Sequence, residues 1–279
     1  MTGQSRTDLE AALEELNEEQ FRLVSAIAQE ISDSENRANI YQLISHCDNA
    51  QIRQISNIVS AMLRPVFEDI NPASDLVTPP FREEFRARLQ AHHGTHDTPL
   101  DRLSFENALA AACLADGRDV QMAPSKTTRF WDVRIDGMHT SAKSTSAQNI
   151  KVDELHISKL SEAVWIQDCR TARARYVNTM KLFDDFLSTV QKWLVLRAFR
   201  MRGGDGRLIY ELVEIPMALF ATVTQLNVND FSAEASKIDV VDALGPAFQL
   251  VLDRSDSKVT IKKIPKDRCV VHGQWHVEA

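Results

Sequence analysis

The chain has 279 residues, 44% of them hydrophobic, enough to fill the core of one large domain or of a domain with an added subdomain. No run approaches the roughly 18 apolar residues of a membrane span, and the N-terminal "MTGQSRTDLEAALEEL" lacks the basic-then-apolar order of a secretory signal, so a cytoplasmic protein is expected. The net charge of −7 is unevenly placed: residues 1–100 hold eight arginines, no lysine and 16 acids, so the acidity belongs to that third and leaves room for a local basic surface elsewhere.

In chain order, apolar residues recur at helical spacing from Asp8 to about Ile70: Leu9, Leu13, Leu16, Phe21, Val24 and Ile27, then Ile40, Leu43 and Ile44, then Ile52, Ile55, Ile58, Val59 and Met62. Pro65, Pro72, Pro79 and Pro80 interrupt the pattern, placing a hinge near residues 71–81 and a short helix around Phe81 to Leu89. His92, His93 and His96 follow in a polar loop. No acid or cysteine stands at a metal-ligand spacing from them, which favours an ordinary surface loop. Ser104 is a candidate cap for a helix over "FENALAAACLADG" that Gly117 ends.

Residues 129–147, "RFWDVRIDGMHTSAKSTSA", read as two strands folded at Asp136-Gly137, and a helix is expected from about Ser158 to Leu187. "KWLVLRAFRM" and "RLIYELVEIP" read as strands joined by "RGGDG", followed by a short helix over 216–222 and the strands "AFQLVLDR", "KVTIKKI" and "CVVHGQWHV". The four cysteines, Cys47, Cys113, Cys169 and Cys269, are dispersed without a CxxC pair and are expected as reduced thiols. The expected fold is α/β (α+β): a mixed central sheet flanked by helices in residues 101–279, with a helical N-terminal region over 1–100.

If Asp136 and Gly137 are the centre of a tight turn, Ile135 pairs with Met138 and Asp132 falls opposite Ser141. Side chains alternate along a strand, so Ser141 and Lys143 share a face with Asp132, while Val133, Ile135 and Ala142 take the other. Asp132 and Lys143 then meet. Such a pair is either a surface ion pair or a carboxylate that holds a divalent cation beside an ammonium that stabilises charge on an attacked phosphate.

An Asp on one strand, a turn, a strand carrying a Lys, and an upstream helix bearing a Glu resemble the PD-(D/E)xK nuclease superfamily, particularly its type II restriction endonucleases. The likeness spans roughly residues 101–216, with Asp132, "HTSAKST", Glu106 in "SFENAL" and the later "YELVEIP". Trp131 replaces the Pro of the motif's name, and Ser141 stands where a second acid is expected. The resemblance implies a restriction-endonuclease-like fold and a catalytic set of Asp132, Lys143, Glu106, Glu162 and Ser141. It implies Mg²⁺ held by Asp132, Glu162 and Glu106, with Glu162 supplied from a following helix in place of the missing acid.

The C-terminal "TIKKIPKDRCVVHGQW" is the candidate for reading DNA, through Lys262, Lys263, Lys266, Arg268 and His272, because a β-ribbon fits the major groove. The implied activity is Mg²⁺-dependent, sequence-specific cleavage of double-stranded DNA by a bacterial restriction enzyme acting as a homodimer, whose two-fold symmetry suits a palindrome. Two alternatives stay open at this point: a DNA-binding module on a dead nuclease core, for which Ser141 argues, and a repair nicking enzyme or resolvase.

Overall fold

The structure is a computed structural model that describes residues 44, 46–125, 127–146, 150–200, 207–234 and 236–278. The helices expected between Asp8 and Leu43, and the turn expected at 202–206, lie outside the described residues. The elements in chain order are α1 (Asn49–Met62), β1 (Phe67–Ile70), α2 (Pro79–His93), α3 (Arg102–Ala115), β2 (Val120–Met122), β3 (Val133–Ile135), β4 (Met138–Thr145) and β5 (Glu154–Glu162). They continue with α4 (Trp165–Asp168), α5 (Ala172–Thr189), β6 (Lys192–Phe199), β7 (Leu208–Glu214), α6 (Met217–Ala221), β8 (Lys237–Asp242), β9 (Gly245–Asp253), β10 (Lys258–Pro265) and β11 (Val270–Val277). Among the described residues, no helix is long and apolar enough to cross a membrane.

Contacts divide the chain into a larger unit, Val66–Arg86 with Pro99–Glu278, and a smaller one containing the rest. In the smaller unit Asp48 and Gln51 form a capping box on α1. A Cβ on Gly94 would lie 2.5 Å from the Ile58 Cα, so only glycine permits that approach. Here His92 and His93 bond the carbonyls of Thr98 and His96, and the His96 ring stacks on His92 at 4.6 Å. The three histidines thus close a local turn.

The larger unit is built on a seven-stranded sheet in the order β1-β11-β7-β6-β4-β3-β2, in which β4 and β6 run parallel and the other neighbours antiparallel. A second, antiparallel sheet has the order β5-β10-β9-β8. Apolar side chains of α5 (Leu182, Phe183, Phe186) pack with Trp193, Val213 and Phe220 and with Ile157, Phe248 and Ile261 of the second sheet in one core. This is a mixed α/β fold with a large sheet flanked by helices, as the order of elements predicts, and it is consistent with a restriction-endonuclease-like architecture. Phe67–Ile70 joins the large sheet although it lies well before residue 101.

Three local expectations are corrected. Residues 158–162 are strand, not the start of a long helix, and α5 begins only at Ala172, capped by the Thr171 hydroxyl accepting from the Ala174 N–H at 3.1 Å. The cause is an irregularity in β5. Ser161 pairs with Val259 while Ile157 pairs with Ile261, so extra residues on β5 break the strict alternation and set Leu160 three positions after Ile157, a helix-like spacing. The cap of α3 is Asp101, whose carboxylate accepts from the Ser104 N–H at 2.8 Å, so the helix starts three residues earlier than a cap at Ser104 would allow. Finally, β10 lies inside the second sheet between β5 and β9 and is not one arm of a free ribbon.

Every residue of β6 is buried and β7 is buried to Val213, which explains their near-continuous apolar runs. Buried charges interrupt these runs at Lys192 and at Arg197 and Glu211, the last two being direct cross-strand partners at 2.8 Å and 1% and 0% exposed. Burial pushes the Arg197 pKa down and Glu211 offsets part of that. Lys266 at 2.9 Å and Gln274 at 2.7 Å bind the other Glu211 oxygen. Glu211→Leu leaves the guanidinium buried without its carboxylate and is expected to cost about 3–5 kcal/mol, read by denaturant unfolding; a loss below about 1 kcal/mol contradicts this account.

Candidate active site

The Asp136-Gly137 turn builds the site. Both residues have positive φ, 49° and 82°, as a type I′ turn requires. Ile135 therefore faces Met138 and Val133 faces Thr140. One step on, the Asp132 N–H donates to the Thr140 carbonyl at 3.0 Å, which puts Asp132 opposite Ser141 as its register predicts.

Asp132 is 7% exposed, and its carboxylate is crowded with donors. Its Oδ2 accepts from the Lys143 ammonium at 2.7 Å, the Ala142 N–H at 2.9 Å and the buried Ser141 hydroxyl at 3.3 Å. Its Oδ1 accepts from Arg102 at 3.0 Å. Lys143 also lies 5.5 Å from the ring centroid of Trp193, a fully buried core residue on neighbouring β6. The ion pair is thus set in a rigid frame, with Ser141 serving as a neutral donor to the carboxylate.

Glu106 reaches the same place from α3, which packs on β4, β3 and β2. It is 6% exposed, and its Oε1 accepts from the Arg102 Nε at 2.6 Å. The hydrogen bond from Arg102 to Glu106 and the charge of Asp132 hold the guanidinium protonated above its ordinary range. Asp132 and Glu106 offer hard oxygen donors joined by one cation, which fits a site for Mg²⁺: that ion takes one or two carboxylates and completes its shell with water and phosphate oxygens. Sequence reasoning missed Arg102. The available signal was an arginine in a helix's first turn, against the dipole, with a glutamate four residues on.

Glu162 stands apart from this cluster. It is the last residue of β5, its side chain is 74% exposed, and Lys159 at 2.6 Å holds its carboxyl below the usual range. The expectation that a helix carries it is overturned. It does share with Asp132, Lys143 and Arg102 a cleft of about 680 Å³, floored by Val195 and walled by residues 156–162 of β5.

The five residues expected to face DNA are divided by the structure. Lys262 and Lys263 line a pocket of about 340 Å³ that shares Thr145, His156 and Val195 with the cleft, so they border the site. Lys266 is bound to Glu211, and Arg268 to Asp242 and the Pro246 carbonyl. His272 is a correction: it is 1% exposed and cannot present its ring to a base edge. Ser74 Oγ accepts from the N–H groups of Leu76 and Val77 at 3.2 and 2.9 Å, so its own proton goes to His272 Nδ1 at 2.8 Å. His272 Nε2 then donates to Glu214 at 3.2 Å.

Asp75, Glu214 and His272 are the one trio among the described residues whose donor atoms converge as metal ligands do. Lys192 already fills that position, with its ammonium 3.1 Å from Asp75 and 3.0 Å from Glu214. The cluster ties residues 74–77 to the ends of β6, β7 and β11. Cys113 and Cys169 are buried free thiols, and burial pushes Cys113 and Cys269 up to about 12, so neither of those two is a nucleophile near neutral pH.

The site joins a buried carboxylate, an ammonium on it and a second carboxylate one helix away, all bordering an open cleft; such a set suits hydrolysis of a phosphodiester. Comparison with known proteins points the same way. Residues 42–277 match the family described as "SmaI: Type II site-specific deoxyribonuclease". The chain is also similar to the type II restriction enzyme SmaI of Serratia marcescens, at 26% identity over 221 residues, covering 73% of this chain and 82% of that relative. No solved structure matches it significantly. The match over most of its length places the chain in that family: it belongs to the SmaI family of type II site-specific deoxyribonucleases.

Proposed function

We propose that this deoxyribonuclease is a Mg²⁺-dependent restriction enzyme of the PD-(D/E)xK superfamily that cuts both strands of double-stranded DNA as a homodimer in the bacterial cytoplasm. The observation that carries this reading is the approach of Asp132, Lys143 and Glu106 through a turn and a helix cap that fix their positions. Asp132 and Glu106 would hold the ion, and Ser141 orients Asp132 without adding charge. Glu162 sits at the rim of the cleft, where it faces the DNA or the incoming water. The catalytic machinery lies within residues 101–279.

When bound, the ion supplies charge neutralisation at the phosphate and a more acidic water. The Lys143 ammonium, fixed on Asp132, points its remaining protons toward the cleft and hydrogen-bonds a phosphate oxygen that gains negative charge as water attacks. The attacking water releases a proton to solvent as its oxygen forms a bond to phosphorus, one P–O ester bond breaks, and the departing oxygen takes up a proton from solvent. The buried frame around Asp132 means that this ammonium is already placed before DNA arrives, the condition under which such a group is most effective.

The test is a digest of phage DNA with the full chain. Discrete fragments with Mg²⁺ and intact DNA in EDTA are expected. A smear contradicts sequence specificity, and intact DNA with Mg²⁺ favours a binding module. Lys262 and Lys263 carry a second expectation. Neutralising either weakens DNA binding and lowers the slope of log affinity against log salt by about one per lost phosphate contact, as read by mobility shift over a salt series; unchanged slopes move the DNA surface elsewhere.

A further inference from the structure

The seat for a cation at Asp132 and Glu106 is taken by the protein itself. A carboxylate offers about four acceptor positions, and Ser141, Ala142 and Lys143 crowd those of Asp132 Oδ2. The open oxygen is Oδ1, and Arg102 donates to it at 3.0 Å while its Nε donates to Glu106 Oε1 at 2.6 Å. One guanidinium therefore spans an oxygen of each of the two carboxylates to which the reading above gives the ion. With Lys143 and Arg102 both in place, the charges of Asp132 and Glu106 are balanced. A divalent ion added to that arrangement adds two uncompensated charges, and it meets a positive group already bound to both carboxylates.

Arg102 is also the one member of the set free to leave. Its side chain is 59% exposed, against 7% for Asp132 and 8% for Glu106, it stands at the first position of α3, and it lines the cleft that the DNA would enter. A phosphate in that cleft offers the guanidinium a bidentate partner of the charge it gives up.

We propose that Arg102 is a gate on the metal site: without DNA its guanidinium fills the position between Asp132 Oδ1 and Glu106 Oε1, and a DNA phosphate entering the cleft draws it away. The proposal rests on the metal reading above. Its consequence is positive coupling, in which DNA raises metal affinity and metal raises DNA affinity by the same factor. Free enzyme then holds the metal weakly away from DNA, and the competent site is assembled on the substrate.

The test measures Mn²⁺ binding by the loss of the free-ion EPR signal, in the otherwise unaltered full chain without DNA and, so that DNA stays intact, in the chain carrying Lys143→Ala with and without duplex. Without DNA, adding Arg102→Gln is expected to tighten Mn²⁺ binding roughly tenfold or more. A duplex containing the cut site mapped by digestion is expected to tighten Mn²⁺ binding to the Lys143→Ala protein, and to tighten it by a clearly smaller factor in the Lys143→Ala/Arg102→Gln variant, where the phosphate adds a ligand but displaces no guanidinium. Asp132→Asn is expected to abolish the binding, and equal melting temperatures show that the fold is kept. If Mn²⁺ binding depends on Asp132 but is the same with and without Arg102, in both the presence and the absence of duplex, the gate is wrong and the metal site stands. If Mn²⁺ binding is undetectable or indifferent to Asp132→Asn, the metal reading fails and takes the gate with it.

Discussion

Lys143→Ala is expected to lower the cleavage rate by about a thousandfold or more while DNA binding stays within a few-fold of the unaltered protein. The ammonium is on a buried carboxylate at 2.7 Å in a frame completed by a main-chain N–H and a serine hydroxyl, so removing it subtracts a preorganised charge and disturbs little else. One such donor is typically worth about 2.7–4 kcal/mol of transition-state stabilisation. Lys143→Arg is expected to rescue poorly, because a planar guanidinium does not reproduce a point charge beside Trp193. Cleavage by Lys143→Ala at near the unaltered rate would reduce the hairpin to a structural ion pair.

The second large effect separates the two glutamates. Glu106 is 6% exposed and joined through Arg102 to Asp132, whereas Glu162 is exposed and paired with Lys159. Glu106→Gln keeps the shape of the side chain but withdraws the charge that the proposed metal site draws on, so it is expected to cut cleavage by roughly a hundredfold and to raise the Mg²⁺ concentration needed for half-maximal rate. Glu162→Gln is expected to lower the rate by less than about tenfold. Rates measured over a Mg²⁺ series decide between them, and the opposite ranking would return Glu162 to the metal.

The part of the site that was legible in the sequence is the part fixed by local geometry. Asp136-Gly137 dictates a two-residue turn, the turn dictates the register, and the register brings Asp132 to Ser141 and Lys143. Glu106 was recognisable as a helical acid, but with Ser104 read as the cap the helix began too late to hold Arg102, which the cap at Asp101 brings into its first turn. Glu162 was misplaced because the irregularity in β5 imitates the three-residue spacing of a helix. His272 read as a surface donor because the Ser74 hydroxyl that buries its role lies 198 residues away in sequence, and no local pattern announces such a contact. The central sheet was legible in its long apolar strands β6 and β7, while the short strands β1 and β2 carried too few residues to show a period.

The central claim is that Asp132 anchors the chemistry, and Asp132→Asn under single-turnover conditions tests it most directly. Enzyme in excess is bound to a duplex containing the mapped cut site, Mg²⁺ is added, and the rate of strand cleavage is followed alongside the fraction of DNA bound. The amide keeps the size of the carboxylate and much of its hydrogen bonding, so the complex is expected to form with near-unaltered affinity and to cut at least about a thousandfold more slowly. Cleavage at the unaltered rate from a fully formed complex would contradict the assignment of the active site.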